Sequence, residues 1–186
     1  MNLEAQLRDL IAEDPVRMHI LRIVRDLNLP DCWVAAGFVR SLVWDHLHQR
    51  QPSPLPEDID VIWFDRTRPG DQTDLALEVE LAALCSDLKW SVKNQARMHQ
   101  RNADAPYGAA ADAMTFWPET ATAVGVRLDR HGAIEVSAPL GLEDLFALKV
   151  RPTARFESDK YVVFLERLQS KRWLEIWAKL TLVTQG

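Results

Sequence analysis

A chain of 186 residues with 47% hydrophobic and 26% charged side chains is the material of one domain, or of a compact pair of subdomains, with a buried core. Its formal charge of −5 argues against broad, non-specific nucleic-acid binding but leaves room for a local basic groove. No apolar run approaches the roughly 20 residues of a membrane span, and the acidic amphipathic opening MNLEAQLRDLIAEDP is no signal peptide, so a soluble, cytoplasmic protein without a membrane partner is expected.

Taken in chain order, apolar residues recur at helical spacing over 3–12 and 16–27, and Asp14-Pro15 separates two helices there. Cys32 to Phe38 reads as a short apolar strand. Cys32 shows no metal-ligand spacing with Cys85, so both are expected to be reduced thiols. Arg40 to His48 is an amphipathic helix, and after the loop QPSPLPE the alternation in Asp58 to Phe64 predicts a strand. His46 and His48 diverge on their helix and share no metal, and Asp45 is expected to pair with a neighbouring base. A helix over 74–88 follows the Pro69-Gly70 loop, and 89–97 reads as a third strand.

The stretch 99–117 is polar and alanine-rich, a loop with a short helix. Thr122 to Asp129 and Ala133 to Val136, joined by Arg130-His131-Gly132, read as a hairpin. Residues 142–149 form a helix that Arg151-Pro152 ends, and 159–178 form a helical tail. Trp173, Leu174 and Trp177 sit at helical spacing in that tail. They suit a packed face better than a stacking platform for RNA. This order gives an α+β fold, a small mixed β-sheet with helices on one face and a site on the other.

The chemistry is concentrated between residues 35 and 65. In a strand, Asp58 and Asp60 point to one face while Ile59, Val61 and Trp63 point to the other. Two adjacent carboxylates repel unless a cation or a base neutralises them. They are either a polar edge or an oxygen site suited to Mg²⁺, with Mn²⁺ a possible substitute. Upstream, Gly37 stands between a strand and a helix, where backbone can approach a ligand closely. The free amides of that helix form an anion site, and Arg40 adds a fork suited to phosphate.

This arrangement resembles the DNA polymerase β nucleotidyltransferase superfamily, whose core runs strand–Gly–helix–strand with D-x-D. Ala36-Gly37-Phe38-Val39-Arg40-Ser41 is similar to the G-G-x-V-R-D motif of the head domain of CCA-adding enzymes and poly(A) polymerases. Pro139, Gly141, Glu143, Asp144, Leu145 and Arg151 match that head domain's later P-x-G-G-x-E-D-L segment. The whole chain, including WSVKNQARMH and PLGLEDLFALKVRP, looks like a family of bacterial nucleotidyltransferase-like proteins.

The resemblance covers roughly residues 15 to 155. It implies a polymerase-β-like nucleotidyltransferase core over 1–155, N-terminal helices included, and a C-terminal helical extension over 156–186 packed on it. It also implies Mg²⁺ on the catalytic pair Asp58 and Asp60, and a nucleoside triphosphate held by Gly37, Phe38, Arg40 and Ser41. Lys93 and Arg97 join the nucleotide-binding set from the following strand. The reaction implied is transfer of a nucleoside monophosphate to an acceptor hydroxyl. The acidic charge of the chain, rather than the resemblance, favours a small molecule or protein over tRNA as acceptor.

The sequence departs from the family pattern at four places. Ala36 replaces its first glycine and Ser41 its aspartate. The segment nearest to the family's nucleotide-reading arginine and aspartate is Glu119-Thr120. The strand WSVKNQAR carries no third carboxylate, and Lys93 is the candidate to neutralise Asp58 and Asp60 without metal. Glu135 could reach the site from the hairpin or be a solvated hairpin residue. His99 and Arg101 are further candidates for phosphate contact. The alternative function is a domain that binds a nucleotide, or a partner, without transferring anything.

Overall fold

A computed structural model of the protein describes residues 2–183. Two helices open the chain, α1 (Leu3–Ala12) and α2 (Pro15–Asp26). Each start is written in the sequence: Asn2 Oδ1 accepts the amides of Glu4 and Ala5 at 3.0 and 3.2 Å, and Asp14 accepts the amide of Arg17 ahead of Pro15. Then come β1 (Trp33–Ala35), α3 (Gly37–Leu47), β2 (Asp58–Trp63), α4 (Gln72–Leu84) and β3 (Lys89–Asn94). Two helices, α5 (Gln95–Asn102) and α6 (Ala110–Met114), and a 3-10 turn at Thr120–Thr122 lead to the hairpin β4 (Gly125–Leu128) and β5 (Ile134–Ser137). The remainder is α7 (Glu143–Phe146), β6 (Lys149–Val150), α8 (Ala154–Glu157), α9 (Tyr161–Lys171), α10 (Trp173–Ile176) and β7 (Thr181–Leu182).

Five strands form a mixed sheet in the order β3-β2-β1-β4-β5, parallel between β2 and β3 and antiparallel elsewhere. Val34, Ile59, Val61, Trp63, Val92 and Val126 face the helices and enclose the main core with Leu7, Ile11, Ile20, Phe38 and Leu81. The α+β class, the mixed sheet and the helix-covered face agree with the sequence. A smaller apolar cluster, Trp33, Ala35, Ile62, Ala110, Met114 and Ala123, lies on the second face, where α6 covers one end. The rest of that face carries Asp58 and Asp60.

Several boundaries differ from the sequence reading, each for a local reason. The strand over 89–97 stops at Asn94, whose buried side chain accepts the Ala96 amide at 3.0 Å and donates to the carbonyls of Asp65 and Arg68. That cap starts α5, so Gln95 to Arg97 are helical. The strand at 32–38 ends at Ala35 because Ala36 turns with φ 56° and ψ −121°, and α3 begins at Gly37 rather than Arg40. The helix over 142–149 closes at Phe146, before Leu148 turns with φ 56° into β6. The tail helix breaks at Arg172, with φ 50°, into α9 and α10.

The tail packs on α3. Trp173 and Trp177 meet Trp44 edge-on, with ring centroids 5.6 and 5.1 Å away. Buried Asp45 of α3 accepts the Trp177 indole N–H at 2.8 Å and the Ser53 hydroxyl at 2.8 Å, and its expected basic partner is Arg50 at 3.2 Å. On the other flank, Arg17 is wholly buried and donates to the carbonyls of Phe38 and Pro54, at 3.0 and 3.2 Å. The start of α3 is thereby fixed from α2 and the proline loop at once. Both cysteines are free thiols, and burial pushes Cys32 up to about 12.

Candidate functional site

Antiparallel register places Ala35, the last residue of β1, opposite Asp60 of β2. The next residue makes the turn: the Ala36 amide donates to Val124 at 2.9 Å, and its carbonyl receives the amides of Val39 and Arg40 at 3.2 and 2.9 Å. The amides of Gly37 and Phe38 precede any helical carbonyl that could accept them, so the helix N-terminus begins beside Asp60. Gly37 is tightly spaced: a Cβ there would stand 3.1 Å from Pro56 Cβ, so the proline would have to give by a few tenths of an ångström. The positive φ falls one position earlier, on Ala36, where an L-residue is strained and the motif has its first glycine.

Asp58 and Asp60 share the second face of β2. Lys89, at the head of β3, reaches Asp58 at 2.6 Å, and Ser91 stands opposite Asp60 and hydrogen-bonds to it. Burial raises the pKa of the Asp60 carboxyl, and the charge of Asp58 raises it further, against the Ser91 hydroxyl and the charges of Arg40 and Arg167. The bond to Asp58 raises the pKa of the exposed Lys89 ammonium.

Arg40 is not an exposed fork. It is 6% exposed, with its guanidinium 4.1 Å from the Trp173 ring centroid and 5.0 Å from that of Trp44. Its Nη1 donates to Thr122 at 2.9 Å, and burial lowers its pKa to about 10 although Glu119 acts to raise it. Glu119 is itself fully buried and accepts from Arg167 Nε of α9 at 2.7 Å. Phe38 and Ser41 are buried too, so Phe38 can offer a ligand only its backbone amide.

The expectation that Lys93 neutralises the aspartates is corrected. Its ammonium sits 2.7 Å from Glu78 of α4, which also accepts the Val92 amide at 2.8 Å, and Lys89 holds Asp58 instead. Arg97 is on α5 and ion-pairs with buried Asp74, which also accepts the Trp63 indole at 2.7 Å. Asn94, three residues before Arg97, is in register with Trp63, about 17 Å along β2 from Asp58 at ~3.3 Å per residue.

His99 follows on α5 and packs edge-on against Tyr107, not against the acids, and Arg101 is exposed further along the same helix. Glu135 pairs with Arg127 at 2.5 Å on β5, three strands from β2, which is about 14 Å at the usual strand spacing. It does not supply a third acid. Among the described residues no group of three or more His, Cys, Asp or Glu could hold a metal.

Sequence reasoning missed Lys89 and Arg167, and it named Glu119 without its partner. Alternation along 89–97 puts Lys89 and Ser91 on one face, so Lys89 was detectable. The pair Glu119–Arg167 joins residues 48 apart and left no local signal.

Residues 22–182 match a family model described as nucleotidyltransferase. An NMR structure said to reveal a CCA-adding enzyme head domain is 38% identical, with a TM-score of 0.86 over 97% of this chain and 96% of that one. A CCA-adding enzyme in complex with CTP shares 16% identity and the fold, with a TM-score of 0.60 over 97% of this chain but 43% of its own. The Thermotoga maritima CCA-adding enzyme complexed with tRNA gives 16% and 0.60, over 96% and 42%. The chain therefore spans under half the length of those two enzymes. No curated protein matches it.

Proposed function

This chain belongs to the nucleotidyltransferase family, and we propose that it transfers a nucleoside monophosphate from a nucleoside triphosphate to an acceptor hydroxyl. One observation carries the reading: register sets Asp60, with Asp58 on the same face, beside the Ala36 turn and the first amides of α3. A metal-binding pair and an anion-binding helix start thus lie next to each other.

The donor set fits a hard cation. Asp58, Asp60 and the Ser91 hydroxyl are all oxygen donors on one face, and Lys89 is a cation that a metal could displace from Asp58. Asp58 and Asp60 would hold Mg²⁺ or Mn²⁺, which supplies Lewis-acid polarisation of phosphate oxygens when bound. The Gly37 and Phe38 amides would hold phosphate oxygens at the dipole end of α3. Arg40 acts through its neighbours, fixing the first turn of α3 against Thr122 and the tail. The acceptor oxygen bonds to the α-phosphorus, the bridge to the β-phosphorus breaks with its electron pair leaving on pyrophosphate, and the hydroxyl proton passes to solvent.

The formal charge of −5 favours a small molecule or a protein over tRNA as acceptor. A second reading, nucleotide binding without transfer, is favoured by one feature: β3 presents Ser91, not an acid, beside Asp60. Calorimetric titration with ATP, CTP, GTP and UTP, with and without Mg²⁺, tests the site. Binding is expected to need the metal and to vanish in Asp58→Ala/Asp60→Ala. Binding indifferent to both would remove the metal role of the aspartates. Transfer of label from α-³²P nucleotide to an acceptor or to the protein then separates catalysis from binding alone.

A further inference from the structure

The C-terminal helices reach the same site, and they bring an arginine with an unused edge. Arg167 of α9 gives Nε to Glu119 at 2.7 Å, while its two Nη groups make no hydrogen bond among the described residues. The side chain is 31% exposed. A guanidinium carries five donors in a planar fork, and one bond uses only its inner corner.

Its surroundings resemble an unfinished polar network rather than a closed ion pair. Glu119 Oε2 and Arg40 Nε are both buried and have no hydrogen-bond partner among the described residues. Orphaned groups of this kind are rare in native interiors and ask for a partner. Thr122, which binds Arg40, lies two residues before Val124, and the Val124 carbonyl takes the Ala36 amide next to the residue opposite Asp60. Asp60 feels the charge of Arg167 as well as that of Arg40.

The placement is also rigid. Trp173 lies under both guanidinium groups, 4.1 Å from Arg40 and 5.4 Å from Arg167, and Trp177 is tied to Asp45. Lys179 donates its amide to His48 and its ammonium to the Leu47 carbonyl, both at 2.9 Å. A charged fork held this way is pre-organised for an anion.

We propose that Arg167 is a phosphate-binding residue: Glu119 fixes its Nε edge, and its Nη edge clamps the polyphosphate of the nucleotide served by Asp58 and Asp60. The C-terminal helices thereby complete the site. This rests on the nucleotidyltransferase reading above for the identity of the polyphosphate.

The test titrates the full chain with inorganic tripolyphosphate, with ATP and the three other triphosphates, and with the free nucleosides. Arg167→Gln alone strands Glu119 as a buried, unpaired charge, so Glu119→Gln/Arg167→Gln is made beside it and both are checked by thermal melting. The expected result is a loss of about tenfold or more in affinity for tripolyphosphate and triphosphates in both variants, the size of one or two charge-assisted bonds. Nucleoside affinity should stay unchanged. A double variant that melts like wild type and binds tripolyphosphate at wild-type affinity overturns the clamp, as does a loss equal for nucleosides and triphosphates. Tripolyphosphate binding that depends on Arg167, in a protein with no affinity for any triphosphate, keeps the clamp and sinks the nucleotide reading instead.

Discussion

Asp45→Ala should unlock the tail. The carboxylate is 1% exposed and takes two hydrogen bonds, from buried Trp177 Nε1 and half-buried Ser53 Oγ, both at 2.8 Å. A bond to an ionised acceptor contributes about 1.5–3 kcal/mol, and a donor left unsatisfied in the interior forfeits the same order. The third partner, Arg50, is 42% exposed at its side chain, and such a pair is worth under about 1 kcal/mol. The sum, discounted for sharing of one carboxylate, is about 3–5 kcal/mol, a large part of the roughly 5–15 kcal/mol of a folded domain. Asp45→Asn keeps an acceptor for one donor, and Ser53 can rotate to accept from its amide, so about 1–2 kcal/mol is expected. Urea unfolding followed by tryptophan fluorescence reads both: at ~2 kcal/mol/M the alanine variant's midpoint falls by about 2 M with unchanged slope. A loss below about 1 kcal/mol would refute the reasoning, because it would mean that Trp177 and Ser53 find water and the tail is held by stacking alone.

Two further expectations concern the site. Ala36→Gly relieves a positive φ that alanine resists, and after the added freedom of the unfolded chain a net gain of about 1 kcal/mol is expected in the same urea assay; a loss would show that Ala36 is not strained. For Asp60, the raised native pKa means that the folded protein holds a proton at pH values where the unfolded chain, titrating near ~3.9, has released it. Metal-free wild type should therefore lose stability relative to Asp60→Asn as pH rises from about 4 through the native pKa, and then level off. A stability difference that stays flat between pH 4 and 7, or runs the other way, would contradict burial as the dominant influence on Asp60.

How much could be read from the residues depends on the range of the interaction that fixes each feature. Alternation in DIDVIW is enforced by neighbours on one strand, so the shared face of Asp58 and Asp60 was legible. The same logic went astray at WSVKNQAR. Asn94 has the period of a strand residue but caps a helix, because its amide finds the Asp65 and Arg68 carbonyls some 30 residues back. Arg40 shows the limit most clearly. Its motif position promised an exposed phosphate ligand, yet Trp173, 133 positions later, covers its guanidinium at 4.1 Å. The segment that looked like an addition to the core thus decides the environment of the motif arginine, and it introduces another, Arg167, whose Nη groups make no hydrogen bond among the described residues. If Arg40 is the strut and Arg167 the clamp, then two arginines divide between them the work that the motif assigns to one.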